Sequence, residues 1–284
     1  MANVLKGKEV VAAMKEKMIQ DVEALGAKGV VPTLGIIRIG ERPDDISYEK
    51  GATKRCAEVG VGVKQYLLPE DATQDDLLKV IDEVNNDANV HGVLLFRPLP
   101  KWMDDATVRR ALAPEKDIDG ITDLSLAGVF TGTELGFAPC TAQACIEILD
   151  HFGIDVKGKN VVVVGRSLVI GKPVAQMLLA KNATVTTVHT KSTDMPGICR
   201  KADVIIASAG KAGVIGADYV SAGQTIIDVG INWDEEKGKI VGDVNFEAAE
   251  PVVENITPVP GGVGSVTTLV LVKHVVEAAK RASK

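Results

Sequence analysis

Apolar residues recur at helical spacing from Val10 and Val11 through Met14, Met18 and Val22 to Leu25, and a short apolar run over residues 33–39 then reads as a buried strand. The alternation continues down the chain. Residues 44–59 fit a helix, 62–68 a strand, 73–86 a helix, and 90–96 an apolar strand closed by Arg97-Pro-Leu-Pro100. Strand and helix taking turns in this way predict a parallel sheet covered on both faces. The polar, turn-rich segment Pro114-Glu-Lys-Asp-Ile-Asp-Gly120 interrupts the rhythm where a binding loop would sit.

A second unit begins near Pro139, with a helix over 141–152, an almost wholly apolar strand over 160–164, a helix over 173–180 and a strand over 183–188, which together make a βαβ unit. Short apolar strands follow at 203–207 and 225–229, and residues 265–282 read as one helix. The predicted fold class is therefore α/β with two domains, 1–138 and 139–267, and a C-terminal helix of about residues 268–284 that packs back on the first domain. The chain shows no internal repeat and no low-complexity segment.

The length of 284 residues suits two ordinary domains, and 46% hydrophobic with 25% charged residues excludes disordered and fibrous classes. A net charge of −6 without a lysine or arginine block gives nothing to neutralise a phosphate backbone, so no nucleic-acid partner is expected. The N-terminal residues lack a signal-peptide pattern and no apolar run is long enough to span a bilayer, so a cytoplasmic protein without a membrane partner is expected. Cys56, Cys140, Cys145 and Cys199 fit neither a zinc ribbon nor a CxxC redox pair, and they read as reduced thiols with no metal site. His91, His151, His189 and His274 are scattered, and each alone reads as structural.

The chemistry concentrates in one loop. The strand ending at Val164 runs directly into Gly165-Arg-Ser-Leu-Val-Ile-Gly171-Lys-Pro173, a glycine-bounded connection to a helix N-terminus. Such a loop lets backbone and helix dipole approach a pyrophosphate, with Pro173 in the first helical turn. It is not a G-x-G-x-x-G fingerprint, and a plain tight turn is the competing reading of this segment alone. After the next strand, Val188-His-Thr-Lys-Ser192 lacks the acidic residue that an NAD enzyme uses on the ribose. Thr190, Lys191 and Arg166 offer donors and positive charge, favouring the extra phosphate of NADP, with NAD or a merely solvated lysine as the alternatives.

Taken together, Pro114–Gly120, Pro139-Cys-Thr141, Val163-Val-Gly-Arg-Ser167, Ile227-Asp-Val-Gly-Ile-Asn232, Gly242-Asp-Val244 and Thr257-Pro-Val-Pro-Gly-Gly-Val-Gly264 resemble, in order and along the whole chain, the methylene-tetrahydrofolate dehydrogenase/cyclohydrolase family. The resemblance implies an N-terminal folate domain, a C-terminal Rossmann-like NADP domain, a cleft between them and a homodimer. A tetrahydrofolate derivative is the implied substrate. On the cofactor side the resemblance assigns Gly165, Arg166, Ser167 and Gly171 near the phosphates, Thr190 near the adenosine ribose, Ile231 at the nicotinamide end, and Thr141 and Gly264 beside them. On the folate side it assigns Tyr48 as a stacking residue, Asp119 as the carboxylate that accepts from the amino-pyrimidine edge, and Pro260, Gly261 and Gly262 as the run that closes over the substrate. Asp117 is read as support for its loop.

Two positions depart from the family pattern. The family's cyclohydrolase lysine falls four residues after the tyrosine, where this chain has Ala52. With roughly 100° per residue, Lys50 and Lys54 each point roughly 160° away from it. The glutamine that orients that lysine is replaced by Phe96, which has no amide to offer. Arg97 is the nearby residue able to stabilise negative charge, though it is a poor base at neutral pH. Lesser departures are Ala142 and Ser265 in place of family prolines. The expectation is a dehydrogenase whose cyclohydrolase activity is absent or weak. A two-domain dehydrogenase of an amino or hydroxy acid would have no use for Pro114–Gly120, and a folate-binding regulator without chemistry would not need an intact Gly165–Pro173 loop.

Overall fold

The computed structural model describes residues 1–236 and 238–284. In chain order the elements are β1 (Asn3–Val4), α1 (Gly7–Gly26), β2 (Thr33–Ile39), α2 (Pro43–Ala57), β3 (Gly62–Leu68), α3 (Gln74–Asn86), β4 (Gly92–Leu95), α4 (Asp105–Ala111) and α5 (Asp123–Thr131). They continue with α6 (Cys140–His151), β5 (Asn160–Val164), α7 (Gly171–Ala180), β6 (Thr184–Val188), α8 (Met195–Cys199), β7 (Val204–Ala207), β8 (Thr225–Asp228), β9 (Asn232–Asp234), β10 (Lys239–Val241), α9 (Phe246–Ala249), β11 (Asn255–Ile256) and α10 (Val263–Ala282). Contacts divide the chain into two compact units, one of residues 13–140 with 268–284, the other of residues 1–12 with 141–267.

The unit of residues 13–140 and 268–284 is built on the parallel sheet β3-β2-β4. Its central strand is buried nearly throughout, as its apolar run requires when both faces are covered. On one face Leu77, Ile81 and Val84 of α3 and Val108 of α4 pack with Ile37, Val93 and Leu95 of the strands. A reciprocal cap between Thr73 and Asp76 starts α3. From Thr268 onward α10 belongs here, with Leu269, Val270, Leu271, Val272, Val275 and Val276 all buried. Each such side chain contributes about 1.5–3 kcal/mol of burial. Gly92 lets this helix and the Ile118 loop approach the sheet, because a Cβ there would run into Ile118 and Val275.

The other unit holds a six-stranded sheet in the order β1-β11-β8-β7-β5-β6, all parallel. From β5 the chain goes first to β6 on one side, then to β7, β8 and β11 on the other, so the strand order reverses at β5. The first twelve residues, which the periodicity places in the N-terminal domain, join this unit instead. Asn3 and Val4 add a strand by pairing with Asn255 and Ile256, two-residue segments too short to carry a period. The hairpin β9–β10 is a further element the periodicity does not reveal.

Candidate functional site

Helix α2 carries Tyr48 and Ala52, two of the positions singled out in the sequence. Pro43 sits in its first turn, Asp44 and Asp45 follow, and Lys54 and Arg55 close its last turn, a charge order that complements the helix dipole. Buried polar contacts fix its rotation: Arg38 Nε donates to Glu49 Oε2 at 2.7 Å, Gln65 also donates to Glu49, and Arg42 makes a forked pair with Asp45 at 2.7 and 2.9 Å. In that orientation Tyr48 is partly exposed and Ala52, one turn further, is fully buried, while Lys50 and Lys54 face solvent.

Phe96, immediately after β4, meets Tyr48 edge to face, with ring centroids 5.9 Å apart and an interplanar angle of 86°. Its other side lines a cavity of about 360 Å³ together with Ile39, Arg42, Pro98, Leu99 and Trp102. Arg97 is already engaged. Its Nε and Nη2 each lie 2.7 Å from Asp105, which also accepts from Arg109. The residue best able to replace a missing cation is thus neutralised by a forked ion pair.

Asp119 sits on the loop after a single turn at Pro114–Lys116. Asp117 organises that loop from a fully buried position, accepting from the Ile121 and Thr122 amides at 3.0 and 2.8 Å and from Ser125 Oγ at 2.6 Å. Asp119 itself is only partly covered. Desolvation pushes its carboxyl up to about 6, the Asp117 charge pushes the same way, and the Cys140 thiol and Arg97 work against them. Burial and the nearby Asp119 charge raise the Tyr48 phenol, which also hydrogen-bonds Thr268 on α10. Tyr48, Asp119 and the start of α6 at Cys140 therefore converge in one unit.

The six-stranded unit carries a second group. Gly165, Thr190 and Ile231 follow β5, β6 and β8 at the carboxyl ends of these strands. Gly165 lies where the strand order reverses, the place where open α/β sheets bind ligands. Its φ of 119° suits glycine, and a Cβ would collide with the Ser208 carbonyl; a Cβ on Gly171 would strike Gly165. Ser167 Oγ accepts from the Ile170 amide at 3.1 Å and shapes the turn into α7. Arg166 and Ser167 are exposed, as are Thr190 and Lys191 on a turn closed by His189 and Ser192. These residues fit a dinucleotide: a glycine cradle before a helix N-terminus, with cations and hydroxyls on the facing turns.

Ile231 is 68% exposed and its side chain lies 3.6 Å from where a Cβ on Gly264 would be. The loop that presents it is held by two aspartates. Asp228 accepts from the amides of Gly230, Asp243 and Val244 at 2.9–3.0 Å, and Asp243 accepts from Gly210, Lys211 and the Asn232 side chain at 2.9 Å. Pro260, Gly261 and Gly262 belong to this same unit, where the Gly7 amide donates to Gly261 at 2.8 Å. Thr141 opens the stretch of chain assigned to the unit, its carbonyl accepting from the Cys145 thiol.

Asp228, Asp243 and His274 are not singled out by sequence reasoning, although the two aspartates lie in quoted motifs. His274 donates through Nδ1 to the Ile118 carbonyl at 2.8 Å, a contact across 156 positions that no local pattern signals. Burial pushes the thiols of Cys56 and Cys145 up to about 12 and that of Cys199 to about 11, and raises that of Cys140 well above its usual value. Among the described residues no group of three or more His, Cys, Asp or Glu is placed to hold a metal ion, and no helix is long and apolar enough to cross a membrane.

Comparison with known proteins agrees with this geometry. The model of the tetrahydrofolate dehydrogenase/cyclohydrolase catalytic domain matches residues 5–119, and that of the family's NAD(P)-binding domain matches residues 139–283. The bifunctional protein FolD of Carboxydothermus hydrogenoformans is 48% identical over 279 residues, covering 98% of this chain and 97% of the relative. The crystal structure of the bifunctional FolD from Campylobacter jejuni superposes with a TM-score of 0.95 at 38% identity over 99% of both chains. That of the Trypanosoma brucei enzyme, complexed with NADP cofactor and inhibitor, gives 0.91 at 33% identity over 100% of this chain and 99% of its own. Two domain models that between them span nearly all of the sequence, and relatives matched end to end, leave one assignment: this chain belongs to the tetrahydrofolate dehydrogenase/cyclohydrolase family.

Proposed function

We propose that this chain oxidises methylene-tetrahydrofolate to methenyl-tetrahydrofolate with NADP and that its hydrolysis of the methenyl product is absent or very weak. The observation that carries the second half is the face of α2: a buried Ala52 one turn beyond Tyr48, with Phe96 packed against the Tyr48 ring. Hydrolysis needs a group that activates water or takes a proton near the one-carbon bridge. Lys50 and Lys54 are solvent-exposed and point away from this face, and Arg97 is committed to Asp105, so none of these three replaces the family lysine. The relatives carry the name bifunctional; this chain keeps the frame and lacks that pair.

The oxidation asks less of side chains. The bound dinucleotide supplies the hydride acceptor, and the protein's work is to hold the donor carbon in place and keep water away. Asp119 accepts hydrogen bonds from the amino-pyrimidine edge, Tyr48 stacks on the substrate, and Pro260, Gly261 and Gly262 close over it. Gly165, Arg166, Ser167 and Gly171 hold the cofactor phosphates, Thr141 and Gly264 flank them, and Ile231 lines the nicotinamide end. Arg166, Lys191 and Thr190, on turns without a carboxylate, favour NADP over NAD. The family resemblance supports a homodimer in the cytoplasm that needs no metal.

The test is a spectrophotometric assay with methylene-tetrahydrofolate and NADP, with NAD in parallel. Reduced nicotinamide and the methenyl compound are followed separately. The reading expects both to rise together. It fails if neither rises.

A further inference from the structure

Asp228 and Asp243 are buried carboxylates that take no part in moving the hydride. Asp243 accepts from the Gly210 and Lys211 amides, on the connection after β7, and from the Asn232 side chain at the start of β9, each at 2.9 Å. Asp228, the last residue of β8, accepts from the Gly230 amide on its own loop and from the Asp243 and Val244 amides after β10, at 2.9–3.0 Å. A buried carboxylate is tolerated when N–H groups replace its water, and these amides do so. The seats are close-fitting. A Cβ on Gly230 would collide with the Asp243 carboxylate, and one on Gly242 with that of Asp228.

These bonds make a path between the two ends of the dinucleotide cradle. Ser208 abuts Gly165: its Oγ and its amide donate to the Val164 carbonyl at 2.9 and 2.8 Å, and its own carbonyl lies where a Cβ on Gly165 would be. Gly210 and Lys211, on the same connection, are held by Asp243. Asp243 also holds Asn232, the chain neighbour of Ile231, and Asp228 fixes Asp243 through its amide. The Val229 amide still donates to the Ala207 carbonyl at 2.9 Å, as a strand would. Past that bond the carboxylates carry the tie onward to the exposed Ile231.

We propose that Asp243, fixed by Asp228 and linked through Asn232, is a positioning residue for hydride transfer: it sets the Ile231 loop, and so the nicotinamide end of the cofactor, relative to the phosphates held at Gly165. The proposal deepens the reading of Ile231 as the residue lining the nicotinamide end and rests on it. Hydride transfer needs the donor carbon and the nicotinamide held in close register. A loop that drifts therefore lowers the rate more than the affinity, to which the phosphate contacts contribute separately. Replacing either aspartate would strip several buried amides of their acceptor and threaten the fold. Asn232 is the milder probe, because its backbone pairs with Val241 in the β9–β10 hairpin whatever its side chain.

The full-length protein is compared with Asn232→Ala, which removes the donor, and Asn232→Asp, which sets a carboxylate against that of Asp243. Without cofactor, backbone amide hydrogen exchange over residues 229–233 should quicken by about three- to tenfold in Asn232→Ala, the loss expected for one hydrogen bond, and further in Asn232→Asp. In single turnovers with enzyme in excess of methylene-tetrahydrofolate and NADP saturating, the rate constant for nicotinamide reduction should fall by about three- to tenfold in Asn232→Ala, with the amplitude unchanged and the Kd for NADP within about twofold. The amplitude counts intact sites and the rate constant reports placement, so a merely structural loss moves the first and not the second. Unchanged exchange in both variants overturns the proposal. So does a Kd that weakens while the rate constant holds. Faster exchange with rate constant and Kd both unchanged leaves the tie in place but overturns the position given to Ile231, and with it the proposal. No nicotinamide reduction by the wild-type protein overturns the proposed reaction and the positioning role together, and the exchange result then shows separately whether Asp243 holds the loop.

Discussion

The Phe96 ring meets Tyr48 edge to face, 5.9 Å between centroids and 86° between planes. The contact is a favourable aromatic pair, worth about 0.5–1.5 kcal/mol beyond burial. Ala52, one turn beyond Tyr48, is fully buried. On the proposed reading, a lysine at residue 52 would bring an ammonium to a fully buried position, where it would need an acceptor that Phe96 does not offer.

Restoring one residue should consequently fail where restoring both succeeds. Ala52→Lys alone places an ammonium at a fully buried position and should lower the melting temperature without producing hydrolysis. Ala52→Lys with Phe96→Gln supplies an oxygen acceptor and should give enzyme-dependent decay of methenyl-tetrahydrofolate. Loss of methenyl absorbance, with and without protein, is the readout. Equal activity of the single and double variants would show that Phe96 has no part in the deficit.

The raised Asp119 carboxyl gives the proposed folate site a pH dependence. Its value of about 6 means that an accepting, ionised carboxylate is present above that pH and lost as pH falls through it. The plot of kcat/KM for the folate should therefore drop below about pH 6, while the KM for NADP stays level across the same range. A flat folate profile down to pH 5 would remove Asp119 from recognition.

The same shift has the opposite sign for stability. A carboxyl raised in the folded protein stabilises the fold below the ordinary carboxylate range and loses that contribution as pH rises through about 6. Asp119→Asn should thus stabilise the protein at pH 7, by up to about 3 kcal/mol, and remove part of the gain seen on acidification. The folate KM should worsen in the same variant. Thermal melts at pH 5 and pH 7 separate the two effects; Asp228, whose burial also raises it to about 6, remains as an internal reference.

On the cofactor side, Arg166→Ala should raise the KM for NADP by at least about tenfold and that for NAD by less, since NADP offers the guanidinium a further phosphate beyond the pyrophosphate that both cofactors carry. Gly165→Ala is a harsher change. With φ at 119° and the Ser208 carbonyl in the way, it should cost more than about 1 kcal/mol and weaken both dinucleotides together. Parallel KM measurements with the two cofactors distinguish a phosphate contact from a damaged loop.

The long strands and helices were legible because burial leaves a period. Residues 33–39 and 62–68 match β2 and β3 end to end, and 160–164 matches β5. Helix α4 has only seven residues, two of them adjacent arginines, and α5 carries Gly128 in its middle because a Cβ there would meet the Leu135 carbonyl. Neither presents a clear apolar stripe. Ala52 and Phe96 could be singled out because the family resemblance supplies the pattern that they break, on or beside elements whose period is plain. Cys140 and His274 could not, because their partnership spans 134 positions and exists only once α10 has packed.

The measurement that bears most directly on the account is the fate of the product. Purified protein is given methylene-tetrahydrofolate and limiting NADP, and methenyl-tetrahydrofolate is followed after the cofactor is exhausted. The account predicts one methenyl per reduced nicotinamide and a decay no faster than in buffer; protein-dependent conversion to the formyl compound would contradict it, and would mean that some group other than residues 52 and 96 activates water at this site.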